Sequence, residues 1–121
     1  MGKTAIIGAS SNPSRYSYIA TQRLADAGEE VYPVGLKTGK IGDIDILDGM
    51  PVLEGIDTVT LYVGPAHQAY WTDYILSLKP HRVIFNPGTE NQALYDILGK
   101  NGIKSEVACT LVLLSLNTYS L

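Results

Sequence analysis

The chain has 121 residues, of which 45% are hydrophobic and 17% charged, a length and balance that predict one globular domain spanning residues 1–121 and exclude a disordered chain. Its formal net charge of −3 excludes non-specific binding to nucleic acid, which requires lysine and arginine to neutralise phosphates. One cysteine excludes an internal disulfide, and no apolar run approaches the ~20 residues of a membrane helix, so we expect a cytoplasmic protein without membrane contact.

Strand-like and helix-like stretches alternate in the first part of the chain. They predict strand Thr4–Ile7, a polar loop Ala9–Ser14, a helix from about Arg15 to Ala27, and strand Glu30–Val34. Apolar residues at helical spacing support the helix, and Gly28 follows its end as a C-terminal cap would. From Gly35 to Ile56 the sequence is irregular, with a short edge strand expected near Ile44–Leu47 or Pro51–Leu53.

The alternation continues to the end of the chain. It predicts strand Thr58–Val63, a helix Ala66–Leu78, strand Arg82–Phe85, a helix from about Glu90 to Leu98, strand Ile103–Val107, and a short helix Thr110–Leu116. Pro65 is suited to start the first of these helices, because its missing N–H would be unbonded there anyway. Thr89 and Gln92 have the spacing of a capping box, which predicts the start of the next helix.

This alternation is typical of an α/β fold, and it predicts a Rossmann-like, doubly wound parallel sheet with helices on both faces. With strands numbered along the sequence, the expected order is 3-2-1-4-5-6, with a very short third strand. Ligands of such sheets bind beyond the carboxyl ends of the strands, where the strand order reverses. The predicted site therefore comprises the loops Gly8–Tyr16, Val34–Lys37, Val63–Pro65 and Phe85–Gly88.

The loop after the first strand has the properties of a phosphate site. Gly8, Ala9 and Ser10 are small enough for a pyrophosphate to approach the backbone, and the hydroxyls of Ser10 and Ser11 can donate hydrogen bonds. Arg15 can pair with a phosphate, or it can be a solvated side chain. The alternative for the whole loop is structural, with the glycine making a turn and Asn12 capping the helix.

Two features argue against an NAD site. The loop lacks the pattern G-x-G-x-x-G, and the second strand ends without the acidic residue that holds the ribose hydroxyls of NAD. Lys37 instead provides a cation where a ribose phosphate would lie. On charge alone, the 3′-phosphate of coenzyme A and the 2′-phosphate of NADP both suit this lysine, which can also be an ordinary exposed loop residue.

Several short segments recur together in one known family. They are Ile7–Ser10, Asn12–Arg15, Val31–Val34, Phe85–Asn91 and Glu106–Thr110. In this order they resemble the small stand-alone CoA-binding domain family, which is related to the N-terminal domain of the succinyl-CoA synthetase α subunit. The resemblance implies that Gly8, Ser10, Ser11 and Arg15 surround the pyrophosphate, that Val34 and Lys37 lie by the adenosine 3′-phosphate, and that Val63 and Pro65 line the adenine or ribose side.

Residues suited to catalysis are few. No His, Cys or carboxylate residues have metal-ligand spacing, and His67 and His81 are expected at the surface. Cys109 is expected as a small buried residue, with a mixed disulfide to a CoA thiol as the alternative.

Three functional hypotheses follow. The first is binding of coenzyme A or an acyl-CoA without catalysis. The second is an NADP-dependent reductase or a nicotinamide-reading redox sensor, and the third is an interaction protein with a vestigial cleft. The aromatic residues Tyr70, Trp71 and Tyr74 are expected to cover the sheet or to form a homodimer face.

Overall fold

A computed structural model describes residues 2–120. Its main sheet has five strands: β1 (Lys3–Ile7), β2 (Glu30–Val34), β5 (Thr58–Leu61), β6 (Arg82–Phe85) and β7 (Lys104–Val107). These strands are parallel and lie in the order β2-β1-β5-β6-β7. The intervening β3 (Gly39–Ile41) and β4 (Ile44–Ile46) pair with each other in a separate antiparallel hairpin.

Helices cover both faces of the main sheet. They are α1 (Tyr16–Asp26), α2 (Ala69–Leu78), α3 (Gln92–Lys100) and α4 (Thr110–Ser115), and a 3₁₀ turn at Pro65–His67 precedes α2. The first and last of these helices pack on one face, and the middle two pack on the other. The predicted Rossmann-like fold class is therefore confirmed. Within residues 2–120, no helix has the length and apolar character needed to cross a membrane.

The central strands are buried on both faces, as is usual in a parallel sheet covered by helices, and they include the buried polar residues Thr58, Thr60 and Arg82. Every residue of β5 and β6 is buried. Ile6 and Ile84 pack towards α1 with Leu24, whereas Ile7 and Phe85 belong to the larger cluster under α2 and α3. Two apolar layers thus hold the sheet, and the strand ends project from between them.

The predicted third strand is formed differently from the expectation. Ile44–Ile46 pairs with Gly39–Ile41 across the two-residue loop at 42–43, and only Leu47 makes a parallel bridge, to Val34. Gly42 has a φ of +60°, which suits the first central position of a tight hairpin turn. A local hairpin therefore replaces the short third strand that was expected, while the other five strands have the expected neighbours.

The predicted capping box at the start of α3 is wrong. Asn91 is the N-cap, and its Oδ1 accepts a hydrogen bond of 3.2 Å from the N–H of Ala93. The Thr89 hydroxyl instead donates to the carbonyl of Asn86 at 2.7 Å, which closes the preceding turn. Because that turn engages the threonine, the helix begins two residues later than its sequence pattern indicates.

Candidate functional site

The strand order reverses between β1 and β5, so the loops that follow these two strands separate at the carboxyl edge of the sheet. A cavity of about 790 Å³ lies there. Its lining comes from the loops after β1, β2 and β5 and from the start of α2: Gly8, Ala9, Ser10, Ser11, Leu36, Lys37, Thr38, Tyr62, Val63, Gly64, Ala66, His67, Tyr70 and Trp71. We refer to it as the larger cavity.

Glycines bring these loops into close contact. Gly8 has a φ of +94°, and a Cβ at this position would lie 2.8 Å from the carbonyl oxygen of Tyr62 and 2.9 Å from Cγ2 of Val63. A Cβ on Gly35 would lie 2.6 Å from the carbonyl oxygen of Ala9. A side chain at either glycine would force the loops apart, so these two residues allow the loops to approach each other closely.

In the loop after β1, some backbone N–H groups are hydrogen-bonded within the fold and others are free. The N–H groups of Gly8 and Ala9 both donate to the carbonyl of Val34 at 3.0 Å, so they are not available to an anion. Among the hydrogen bonds of residues 2–120, the N–H groups of Ser10 and Ser11 have no acceptor. The free donors in the predicted phosphate loop therefore belong to the two serines.

The two predicted cations lie in different places. Lys37 lines the larger cavity, and no ion pair of the described chain involves it. Arg15 lines a smaller cavity of about 410 Å³ on the other side of the loop, at the start of α1. The two cavities share Gly8, Ser10, Tyr62 and Gly64 in their linings. One ligand could contact both cations only by extending past these shared residues.

Two predicted site residues do not line either cavity. Val34 is 0% exposed and packs in the core under α2 and α3, because strand β2 is inserted between β1 and the bridging residue Leu47. The carbonyl of Val34 accepts hydrogen bonds from the loop after β1, whereas its side chain does not contact the cavity. Pro65 is exposed at the start of the 3₁₀ turn, and its neighbours Gly64 and Ala66 line the larger cavity instead.

Tyr62 lies between the cavities above a buried polar network. The Asn86 side-chain amide donates to Thr60 Oγ1 at 2.7 Å and to the Leu61 carbonyl at 2.9 Å, and its Oδ1 accepts from the N–H of Thr110 at 2.9 Å. The hydroxyls of the two threonines are 2.7 Å apart. This network connects the ends of β5 and β6 to the start of α4, and it holds in place the residues on which Tyr62 packs.

The environment of Tyr62 determines its protonation. Burial raises the pKa of the phenol to about 12, although hydrogen bonds with Thr110 and Thr60 act in the opposite direction. The phenol therefore keeps its proton at neutral pH. Its hydroxyl is engaged with the buried hydroxyls of Thr110 and Thr60, and it does not supply a phenolate base.

Aromatic and apolar side chains form another wall of the larger cavity. Trp71 is 3% exposed and lines the larger cavity from α2, next to Val63. Tyr70, on the same helix, is 64% exposed, and its ring stacks edge-on against the indole with centroids 5.2 Å apart. Such a wall suits a flat ring or an alkyl chain. Tyr74 is buried in the core.

The sequence predicted only part of the lining. Leu36 and Gly64 lie within predicted loops but were not named as ligand contacts, and Thr38 and Ala66 lie just outside those loops. An apolar residue in a polar loop is the signal that could have identified Leu36, whose side chain is 72% exposed. The other three residues have no distinguishing pattern.

Groups suited to catalysis are sparse around the cavities. His67 lines the larger cavity with an exposed side chain, and Cys109 is half-buried at the N-cap of α4, outside both linings. In the part of the chain that the structure describes, His, Cys, Asp and Glu side chains form no cluster of three that could hold a metal ion. The donors described above suit binding of an anionic ligand.

Comparison with known proteins gives one family match. The sequence profile described as CoA binding domain matches residues 2–115. The chain is 52% identical to an uncharacterized protein of known crystal structure, with 98% of each chain covered and a TM-score of 0.95. No curated protein matches the chain.

More distant solved structures share the fold. A conserved hypothetical protein from Pyrococcus furiosus is 25% identical, with a TM-score of 0.80 and coverage of 93% of this chain and 98% of that chain. A Thermus thermophilus protein, cell-free ID.343, is 19% identical, with a TM-score of 0.84 and coverage of 98% and 90%. The latter likeness concerns the fold alone.

Proposed function

The chain belongs to the CoA binding domain family, and from this membership we propose that it binds coenzyme A or an acyl-CoA in the larger cavity, without catalysis of its own. The diphosphate would contact the free N–H groups of Ser10 and Ser11. The 3′-phosphate would contact Lys37, and the adenosine would pack between Val63 and Leu36. Arg15 would meet a part of the ligand that extends past Tyr62 into the smaller cavity.

One observation carries this proposal: free amide donors and an unpaired cation line the same cavity. Two separate anionic groups on one ligand would satisfy both. A volume of about 790 Å³ lies within the range of cofactor sites in proteins. Coenzyme A carries a diphosphate and a separate ribose phosphate, and its adenine would suit the apolar wall.

The same cavity provides little for chemistry. Burial raises the pKa of the Tyr62 phenol, so it is not a base, and His67 is exposed at the cavity wall. In the described residues, no nucleophile is hydrogen-bonded to a base beside either cavity. This supports a binding or carrier role, with any reaction left to a partner protein.

Calorimetric titration with CoA, acetyl-CoA, NADPH and NAD tests the choice of ligand. We expect CoA and acetyl-CoA to bind with similar affinity, because the groups described above contact the nucleotide part that they share. Both nicotinamide cofactors should bind at least about tenfold more weakly. Binding of NADPH in preference to both CoA species would replace the proposal with the nicotinamide alternative. No heat with any of the four would refute it.

Lys37→Ala tests the position of the ribose phosphate. A charge-assisted hydrogen bond contributes about 1.5–3 kcal/mol, so the variant should bind CoA about tenfold or more weakly. For 3′-dephospho-CoA, which lacks the phosphate, the variant and the unchanged protein should have the same affinity. Lys40→Ala is the matched control, because Lys40 is exposed on the hairpin and pairs with Asp45 at 2.7 Å. An equal loss of affinity for both ligands would place the 3′-phosphate elsewhere.

A further inference from the structure

Strand β7 forms one edge of the main sheet, and its outer side is open. The N–H of Lys104 donates to the His81 carbonyl at 3.1 Å, and the N–H of Ala108 donates to the Phe85 carbonyl at 3.2 Å. Because backbone direction alternates along a strand, the peptide groups of Ser105 and Val107 point away from β6. No hydrogen bond within residues 2–120 reaches their N–H groups. Such an edge is a template for another strand.

The opposite edge of the sheet is protected. Leu47 bridges β2, donating its N–H to the Pro33 carbonyl at 2.8 Å and accepting from Gly35 at 3.0 Å. The antiparallel hairpin β3-β4 precedes this bridging residue in the chain. The unpaired backbone groups at the edges of the main sheet therefore lie mainly along β7.

The side chains of β7 are complementary to a second copy of the same strand. Lys104 and Glu106 are two residues apart and so lie on the same face of the sheet. Within one chain, Glu106 pairs with Arg82 at 3.2 Å and with Lys104 at 4.0 Å. If two copies pair antiparallel about an axis through Ser105, each lysine also lies opposite Glu106 of the other copy. Val107, which is 60% exposed, then lies opposite Ile103. Opposite charges and apolar pairs at directly facing positions stabilise antiparallel strands.

This register also agrees with the backbone. In an antiparallel pair, facing residues that exchange both hydrogen bonds must point their peptide groups at each other, and Ser105 has the outward peptide that this requires. A register shifted to an axis through Glu106 would place the two carboxylates directly opposite each other. Like charges at that position are destabilising, so the charges favour the axis through Ser105.

The side chain of Ser105 gives an independent indication. Its Oγ is buried and has no hydrogen-bond partner in the described chain. A buried hydroxyl without a partner is destabilising, and native proteins usually provide one. Serine hydroxyls at directly facing positions of antiparallel strands can bond to each other. In the register above, the two Ser105 side chains face each other, so rotation about the Cα–Cβ bond gives each hydroxyl the hydroxyl of the other copy as its partner.

We propose that a second copy of this chain docks along the outer edge of β7, antiparallel and about an axis through Ser105, so that the two sheets become one continuous sheet. The resulting interface is isologous, because the same strand serves both copies. A contact made mainly by one strand is small, so we expect a reversible dimer rather than a permanent one. The cavities at the carboxyl edge play no part in this inference.

Sedimentation velocity from about 10 µM to about 1 mM protein tests the association, together with hydrogen exchange of the Ser105 and Val107 amides. We expect a concentration-dependent dimer, and exchange at Ser105 that slows as the dimer forms. A protein that stays monomeric throughout would overturn the proposal. A dimer whose Ser105 amide exchanges at the same rate at all concentrations would also overturn it, because another face would then be used.

Two variants separate this edge from other faces. Ser105→Pro removes the outward N–H, which makes no bond within the chain, and edge strands tolerate proline there; we expect a folded monomer. Lys104→Glu places two carboxylates opposite each other and should weaken the dimer at least tenfold. Lys40→Glu, the same charge change on the distant hairpin, should leave it unchanged. If Ser105→Pro fails to fold, the comparison of Lys104→Glu with Lys40→Glu still tests the proposal. Equal dimerisation of these two variants would refute it.

Discussion

Gly8 illustrates how one residue joins the fold to the candidate site. Its left-handed φ of +94° and its contact with the carbonyl of Tyr62 let the chain turn directly after β1. The turn leaves the amide groups of Ser10 and Ser11 free at the cavity. The sequence indicates a turn at this glycine. The close contact with the end of β5 involves residues 54 positions away, so the local sequence cannot indicate it.

Gly8→Ala is predicted to destabilise the protein by about 3 kcal/mol, because left-handed strain and overpacking add. Two control variants separate these causes. Gly88→Ala has a positive φ of +91° but no atom within 4 Å of the new Cβ, and Gly64→Ala has neither problem. Urea unfolding should rank Gly8→Ala as the most destabilised, then Gly88→Ala, then Gly64→Ala. Equal losses at positions 8 and 88 would show that the contact with Tyr62 is unimportant.

At the scale of elements, Gln68 and Asn91 join α2 to α3. Gln68 is 1% exposed, and its side-chain amide donates to the carbonyls of Val63 and Thr89 at 2.8 and 2.7 Å. Its Oε1 accepts from Asn91 Nδ2 at 2.9 Å. The N-cap of one helix thus holds the start of the other, and Gln68 also holds the loop that carries Val63. This connection spans 23 residues, and no local sequence pattern indicates it.

Asn91→Ala is therefore predicted to cost more than the loss of a simple cap. Losing the cap costs about 1 kcal/mol, and leaving buried Gln68 without its donor costs a further 1–3 kcal/mol or so. Asn91→Ser is the comparison, because serine retains a capping oxygen but cannot reach as far. Thermal unfolding should place Asn91→Ser between the unchanged protein and Asn91→Ala. Equal stability of the two variants would mean that only the contact with Gln68 matters.

At the scale of the whole molecule, buried tyrosines link folding to pH. Burial raises the pKa of Tyr62 from its ordinary value of 10.0 to about 12, and burial also raises the pKa of Tyr119. A raised pKa means that the folded state favours the protonated phenol. This contribution to stability is complete below pH 10 and is lost as the pH rises through 12.

The free energy of unfolding should fall by about 2–3 kcal/mol from Tyr62 alone as the pH rises from about 10 to about 12. Denaturant titrations at several pH values across this window measure the fall. Tyr62→Phe removes the titrating group, so its stability should decline less steeply, with the remainder due to other tyrosines. Parallel declines in the two proteins would show that the phenol titrates normally in the folded state.

The sequence by itself determined the order and type of the main elements. Apolar runs define the buried strands, helical spacing defines the helices, and Gly8 and Gly28 mark turns. These signals are local, because they arise from the backbone and from which face of an element is buried. The same signals indicated which loops meet at the carboxyl edge, since parallel strands end together. Six of the nine predicted cofactor-binding residues line the larger cavity: Gly8, Ala9, Ser10, Ser11, Lys37 and Val63.

Only the tertiary structure decided which side chains and backbone groups of those loops face the cavities. It buried the side chain of Val34 and engaged the first two amides of the loop with its carbonyl. It placed Arg15 and Lys37 in separate cavities. It also formed a hairpin where a third strand was expected. Each of these outcomes depends on contacts between segments distant in the chain, whose geometry is fixed by packing rather than by local preference.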